Sequence, residues 1–323
     1  MSRAAAFALA FVLFSVGIAL GALWSETREP KVPPRLTPPM TPVEGMAHFE
    51  QDKMMVALLA RARETNGSAL YNLGNAVFYW QLWQDRSKGA GAPSILELGP
   101  GENLGQGVML VAMGAKKYTG LDLHRPEHLY DRHGYQAAMG LIGLAAPRGA
   151  QLKAADIFSV EGERVVFNPA RVEYLYPRQS YDIGLPDGSI DYVFSHSVFE
   201  HISEPEKTVA AIAKVLRSGG LTAHHFDMRD HKDFSRPLEF LKVDAGTWAT
   251  RFDGSNAHFY LNRRRLSDFV KMFKDSGYRI VSAKPTQTIA VSEEMRRGLH
   301  PDFHHYSLDD LSVVSALIVA QKP

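Results

Sequence analysis

Ser94-Ile95-Leu96-Glu97-Leu98-Gly99-Pro100-Gly101-Glu102-Asn103-Leu104-Gly105 is the stretch on which the fold turns. Its first five residues form a short apolar run between Pro93 and Gly99, the pattern of a buried strand. Leu104 to Met113 is apolar enough for a buried helix, and Gly114 ends it. Between them, Gly99 and Gly101 let the backbone turn sharply and approach a ligand with no Cβ in the way. The helix that follows offers its positive end to an anionic group. Outward from this point, Lys117 to Leu123 reads as the next strand, and Asp122 lies at its end. A carboxylate there can accept hydrogen bonds from two ribose hydroxyls. Strand, glycine turn, helix and acidic strand end together point to an adenosine-containing ligand. The dinucleotide fingerprint wants a small residue where Leu104 stands, which disfavours a nicotinamide cofactor.

Further along, strands and helices alternate. Ile190 to Ser195 reads as a strand, and Ser203 with Glu206 forms a capping-box pattern that opens a helix with Pro205 in its first turn. Val209, Ile212, Ala213 and Leu216 make that helix's apolar stripe, with Gly219-Gly220 as its stop. Leu221 to Phe226 is a strand. Leu266, Phe269, Val270 and Phe273 mark another helix, and Tyr278 to Ala283 and Ser312 to Ala320 are β-rich. Such alternation predicts a doubly wound α/β fold, its mostly parallel sheet carrying helices on both faces. Ligands of open α/β sheets bind beyond the carboxyl ends of the strands, near the switch point.

The order of these segments resembles the class I S-adenosylmethionine-dependent methyltransferases, in particular their methyltransferase type 11-like domains. Glu97 to Gly105 is similar to the family's first motif, Leu185-Pro186-Asp187-Gly188-Ser189-Ile190-Asp191 through Ile202 to its fourth-strand block, and Val215 to Leu221 to its fifth-strand entry. The resemblance runs from about Pro93 to the C-terminus. It implies a Rossmann-like sheet of seven strands whose closing strand is inserted antiparallel, with S-adenosyl-L-methionine as cofactor. It also implies that Glu97, Gly99 and Gly101 line the methionine end, that Asp122 holds the ribose and that Ser195 approaches the methionine moiety. Two acidic positions compete for the adenine contact, Asp182 (preferred) and Asp156, because the insertion from Ala154 to Arg178 departs from the family's compact pattern.

The cofactor brings its own electrophile, so the protein's task is to orient an acceptor and, for a hydroxyl, to take its proton. Histidines near strand ends supply candidates: His196, His201, His224, His225 and His231. His225 with Asp227 just beyond is the preferred catalytic pair, and His201 is retained as a further candidate. The segment His224 to His231 has no helical histidine pair or known ligand spacing, so no metal is expected. Arg263-Arg264-Arg265 precedes a helix, the wrong end of the dipole for cations, and reads as a solvated face or an anion site. Residues 227–262 form the expected lid insertion, with Trp248, Phe252 and Tyr260 as acceptor-facing candidates.

Composition sets the remaining bounds. The chain has 323 residues, 45% hydrophobic, and a net charge of +1, without the clustered basic surface of a nucleic-acid binder. It has no cysteine, which removes disulfides, thiolate metal sites and thiol nucleophiles. Ala4 to Trp24 is uncharged and long enough to cross the ~30 Å hydrocarbon layer. The reading is residues 1–25 as a membrane anchor, with a cleaved signal segment as the rival; 26–45 as a proline-rich linker; and 46–323 as the catalytic body, in which 46–90 are N-terminal helices. Arg28, Lys31 and Arg35 after the apolar run, against Arg3 before it, place the body on the cytoplasmic face. The expected activity is O-methylation of a small, glycan or lipid-linked acceptor. A nicotinamide-dependent reductase or epimerase would need a Tyr-x-x-x-Lys dyad, which the tyrosine-containing stretches do not supply. A non-catalytic scaffold would have no need of the intact glycines and Asp122.

Overall fold

The computed structural model describes residues 67–323, apart from 88, 90, 126–128, 130–131, 146–152 and 252–259. The elements, in chain order, are α1 (Gly67–Arg86), β1 (Ser94–Leu98), α2 (Gly105–Ala112), β2 (Lys117–Leu121), α3 (Arg132–Ala145), α4 (Ala154–Ile157), β3 (Phe158–Glu161), β4 (Arg164–Phe167) and β5 (Val172–Leu175). There follow β6 (Ile190–His196), α5 (Pro205–Val215), β7 (Leu216–Asp227), α6 (Ala245–Ala249), α7 (Leu266–Asp275), β8 (Arg279–Thr288), α8 (Glu293–Arg297), α9 (Leu308–Ser312) and β9 (Val313–Gln321). Seven strands form one sheet in the order β5-β2-β1-β6-β7-β9-β8. β1, β6 and β7 pair parallel, whereas β9 runs antiparallel to both β7 and β8. This is the mostly parallel sheet with an antiparallel insert that the sequence predicts.

The chain divides into two compact units, one drawn from Met1–Ala92, Glu102–Tyr118 and Pro126–Glu173, the other from Pro93–Gly101, Thr119–Arg125 and Tyr174–Pro323. In the first, α1, α2 and α3 pack together, with Leu73, Ala76, Tyr79 and Trp83 buried. The glycines of α2 permit close approach. A Cβ on Gly107 would lie 2.2 Å from the Tyr118 ring, and one on Gly105 would lie 2.6 Å from the Asn72 amide. Asn103 accepts from both Gly105 N (2.8 Å) and Asn72 Nδ2 (2.9 Å), fixing the start of α2. In the second unit, the stripes of α5 (Val209, Ile212) and α7 (Phe269, Phe273) bury against strand residues that include Val193, Phe226 and Ile318. A smaller core gathers Leu238, Phe240, Trp248, Leu261, Phe303 and Leu311.

Several expectations are corrected. The Ser203–Glu206 capping box does not open α5. The helix starts at Pro205 with Glu204 at the N-cap and no side-chain cap, the arrangement that a proline at N1 favours. It ends at Val215, and Leu216–Gly220 already belongs to β7, where Gly219 takes φ +74°. β5, whose residues Val172-Glu173-Tyr174-Leu175 carry no clear alternation, has no counterpart among the strands read from sequence. The insertion holds α4, the β3–β4 hairpin turning at Gly162 (φ +62°), and this added strand. Among the described residues no helix is long and apolar enough to cross a membrane. Ala4–Trp24, the linker and residues 46–66 lie outside the described residues, as does Phe252.

Candidate functional site

The residues singled out as cofactor-binding or catalytic lie in the second unit, apart from Asp156, the rival adenine contact, which lies in the first. Register brings their strand ends level: Leu98 pairs with Ser195, Ser195 with His224, and His196 with His225. Gly99 N donates to Leu121 O (2.9 Å), so the ends of β1 and β2 are joined at the glycine turn.

Gly99 and Gly101 both take positive φ, +64° and +79°. Their reasons differ. A Cβ on Gly99 would sit 2.6 Å from Val198, whereas one on Gly101 would meet nothing within 4 Å. Gly101 therefore presents bare main chain to open space, a place where a ligand can lie against the backbone. Glu97 is a buried carboxylate on β1. Asp122 stands just past β2, its Oδ1 accepting from His124 N (3.0 Å). Burial pushes its pKa up, and the hydrogen bond and proximity of His124 oppose that. A carboxylate at a strand end beside an open glycine backbone fits the hydroxyls and chain of an adenosine-type cofactor.

Other candidates are placed differently. Ser195 is 0% exposed and its hydroxyl bonds His224 Nδ1 (2.8 Å), so its side chain serves the core. Asp182 is exposed and pairs with Arg178 (3.6 Å). Asp156 caps α4, accepting from Lys153 N (3.0 Å). His225, the preferred base, is packed among neighbours on β7. Its ring stacks on His196 (4.4 Å, 10°), Nε2 meets Ser315 Oγ (2.9 Å) and Thr286 Oγ1 (3.3 Å), and burial lowers its pKa to about 4. Asp227 is clamped by Arg229, whose Nε (2.8 Å) and Nη2 (2.6 Å) take both of its oxygens, rather than forming a dyad with His225. His224 is a core histidine, held by Ser195 and by Thr222 (2.5 Å) and packed on Phe199 and Phe273; burial lowers its pKa to about 3.

The arginine run is neither a solvated face nor an anion site. Arg265 is 0% exposed and donates to the carbonyls of Met228, Leu311 and Val313. Arg263, with φ +60°, donates to the Phe240 and Val243 carbonyls and lies over the Trp248 and Phe303 rings. Only Arg264 reaches the surface, where it pairs with Glu206 (2.7 Å). Trp248 is likewise a core residue, its Nε1 donating to Leu261 O (2.8 Å).

What the fold gathers instead is a polar cluster past the ends of β6 and β7. Glu200 and His201 lie on the short 3₁₀ turn Phe199–His201; Asp227 ends β7, and Arg229 and His231 follow it. Glu200 is 2% exposed. Its Oε1 accepts from Asp227 N (3.1 Å), and its Oε2 has no hydrogen-bond partner among the described residues. His201 Nδ1 donates to the Tyr260 carbonyl (2.9 Å), which leaves Nε2 with its lone pair. Burial, then neighbouring His231, lower its pKa to about 4. His231 lies beside Asp227 (3.8 Å) and beneath Phe234, which also carries the Arg229 guanidinium over its face (4.4 Å). Asn262 fastens the turn, donating to the Phe199 (2.6 Å) and Ile202 (3.0 Å) carbonyls. Of this cluster, sequence reading names His201, Asp227 and His231 but not Glu200, Arg229 or Asn262. The adjacent acid and histidine of Glu200-His201, beside a strand end, were the available signal.

Residues 143–223 match the family model described as a methyltransferase domain. No curated protein sequence matches the chain. Among solved structures, an S-adenosylmethionine dependent methyltransferase from Mesorhizobium loti is 14% identical over 74% of this chain and 97% of its own, with a TM-score of 0.38. The YcgJ protein of Bacillus subtilis gives the same identity and TM-score over 75% and 97%. The [4+2]-cyclase SpnF is 17% identical over 76% and 80%, with a TM-score of 0.37. Likeness at these levels says nothing of substrate. The family-model match over residues 143–223, with the strand order and its antiparallel β9, supports a methyltransferase domain of the S-adenosylmethionine-dependent kind in this chain.

Proposed function

We propose that the enzyme methylates an oxygen of a small, glycan or lipid-linked acceptor. The carrying observation is the polar cluster of Glu200, His201, Asp227 and His231, which lies at the carboxyl ends of β6 and β7, strands parallel to the β1 that bears the Gly99–Gly101 turn. In this reading Glu97, Gly99, Gly101 and Asp122 hold S-adenosylmethionine, which when bound supplies an electrophilic methyl group. Asp182, exposed on the loop before β6, is the proposed adenine contact.

The chain's own residues then act on the acceptor. His201, its Nδ1–H fixed on the Tyr260 carbonyl, offers Nε2 to a hydroxyl proton. Asp227 is kept ionised by Arg229 and so can steady positive charge arising on His231 or His201. Phe234, exposed beside His231, gives an apolar or sugar-like acceptor a face to rest on. The Ala4–Trp24 segment anchors the body at the cytoplasmic face in this proposal, bringing a lipid-linked acceptor within reach.

The test is transfer from methyl-labelled S-adenosylmethionine by the full-length chain into a membrane lipid and glycan extract. Label recovered as an alkali-stable methyl ether, and strongly reduced in His201→Ala with cofactor affinity retained, supports the reading. Label appearing only on nitrogen, or only on protein, overturns the acceptor.

A further inference from the structure

Glu200, His201 and His231 each offer one ligand atom, and these atoms lie within 4.8 Å of one another. Two carboxylate and imidazole edges at this spot are unspent: Glu200 Oε2 and His231 Nε2 are buried without a hydrogen-bond partner among the described residues. A buried polar atom left unmatched costs about 1–3 kcal/mol, more if charged, so two in one place call for a ligand.

The surroundings orient all three side chains. Glu200 is anchored through its other oxygen by Asp227 N (3.1 Å). His201 Nδ1 is tied to the Tyr260 carbonyl (2.9 Å), and His231 Nε2 faces the Asp227 carboxylate at 3.8 Å without a hydrogen-bond partner among the described residues. Imidazoles whose far nitrogen donates to a carbonyl are set with the remaining lone pair ready for a metal.

We propose that Glu200, His201 and His231 bind one divalent transition-metal ion of the zinc or cobalt kind. Two imidazoles and one carboxylate form the donor set of three-ligand zinc sites that keep a further position open. In a tetrahedral ion with ligand bonds of ~2.0–2.1 Å, the donors stand ~3.4 Å apart, a spacing the three reach by small side-chain rotations. A bound ion would take the His201 Nε2 lone pair that the proposed function gives to a hydroxyl proton, so ion and proton are alternative occupants of that nitrogen; the test of the ion does not use methyl transfer.

The full-length chain, stripped with a chelator, is titrated with Co²⁺ alone and followed by visible absorption and equilibrium dialysis. One Co²⁺ per chain with d–d bands that Zn²⁺ abolishes, and nitrogen couplings from two imidazoles in the electron-spin spectrum of the wild type, support the site. Glu200→Gln and His231→Gln should each weaken binding at least tenfold with the circular dichroism unchanged, whereas His133→Gln, an exposed histidine elsewhere, should not. Failure to bind near one equivalent, a spectrum without imidazole coupling, or affinity indifferent to both ligand variants overturns it. Should either variant fold poorly, the wild-type imidazole couplings decide alone.

Discussion

Gly99 and Gly101 both sit in the left-handed region, yet their replacement has different consequences. Alanine at either position carries ~1–3 kcal/mol of backbone strain. At Gly99 it also drives a methyl to 2.6 Å from Val198, on the turn that leads to Glu200, so that loop must shift. Gly99→Ala should therefore lower stability more than Gly101→Ala in thermal melts. Gly101→Ala should chiefly weaken S-adenosylmethionine binding, since its Cβ would enter space open to the ligand. Equal losses of stability in the two variants would contradict this assignment. Asp122→Ala should cost cofactor affinity by a few kcal/mol at most, through two hydrogen bonds to a charged acceptor, and calorimetry with S-adenosylmethionine measures it. At this scale the sequence was legible wherever a residue's backbone decided its role. The glycines were readable because only they accept that conformation. Ser195 and His225 were not, because strand alternation turns them toward partners (His224; Ser315 and Thr286) that only the folded register supplies.

Between elements, the buried arginines fasten the start of α7 to the chain around it. Arg265 carries three carbonyls, those of Met228 just after β7, Leu311 on α9 and Val313 at the start of β9, and has no carboxylate partner in those bonds. Burial lowers its pKa to about 10, so it stays charged at neutral pH and is tolerated there only through those carbonyls. Arg265→Ala should cost about 3–5 kcal/mol, by leaving the carbonyls unmatched and opening a void. Arg264→Ala, exposed and paired only with Glu206 (2.7 Å), should change stability by less than ~1 kcal/mol. Urea denaturation of the two variants makes the comparison, and equal midpoints would refute it. The three consecutive arginines gave no sign of this in sequence. Charge alone favours the surface, and the burial of two of them depends on the smaller core around Trp248 and on β9, both distant along the chain. Helix and strand placement fared better because apolar periodicity is local. Element ends drifted where a proline (Pro205) or a glycine pair (Gly219-Gly220) can serve either neighbour.

Over the whole molecule, the sheet's centre is where protonation and stability meet. His224 and His225 lie side by side on β7 with burial holding them neutral, at about 3 and about 4 against an ordinary 6.5. Their folded pKa values are depressed, so the unfolded chain binds protons first as pH falls. The neutral imidazoles' contribution is complete above about pH 6.5 and is lost progressively as pH drops toward those lower values. Each histidine that is charged only in the unfolded chain adds a slope of up to ~1.4 kcal/mol per pH unit. Between about pH 6.5 and 5.5 exposed carboxylates hardly titrate, which isolates this effect from ordinary acid denaturation. Unfolding free energy measured by urea across that interval should fall steeply in the wild type. In His224→Gln, where an amide can still reach the Ser195 and Thr222 hydroxyls, stability at pH 7.5 should drop while the slope flattens. A slope unchanged in that variant would mean that His224 is not held neutral by the core, and that some other group governs the acid limit of the fold.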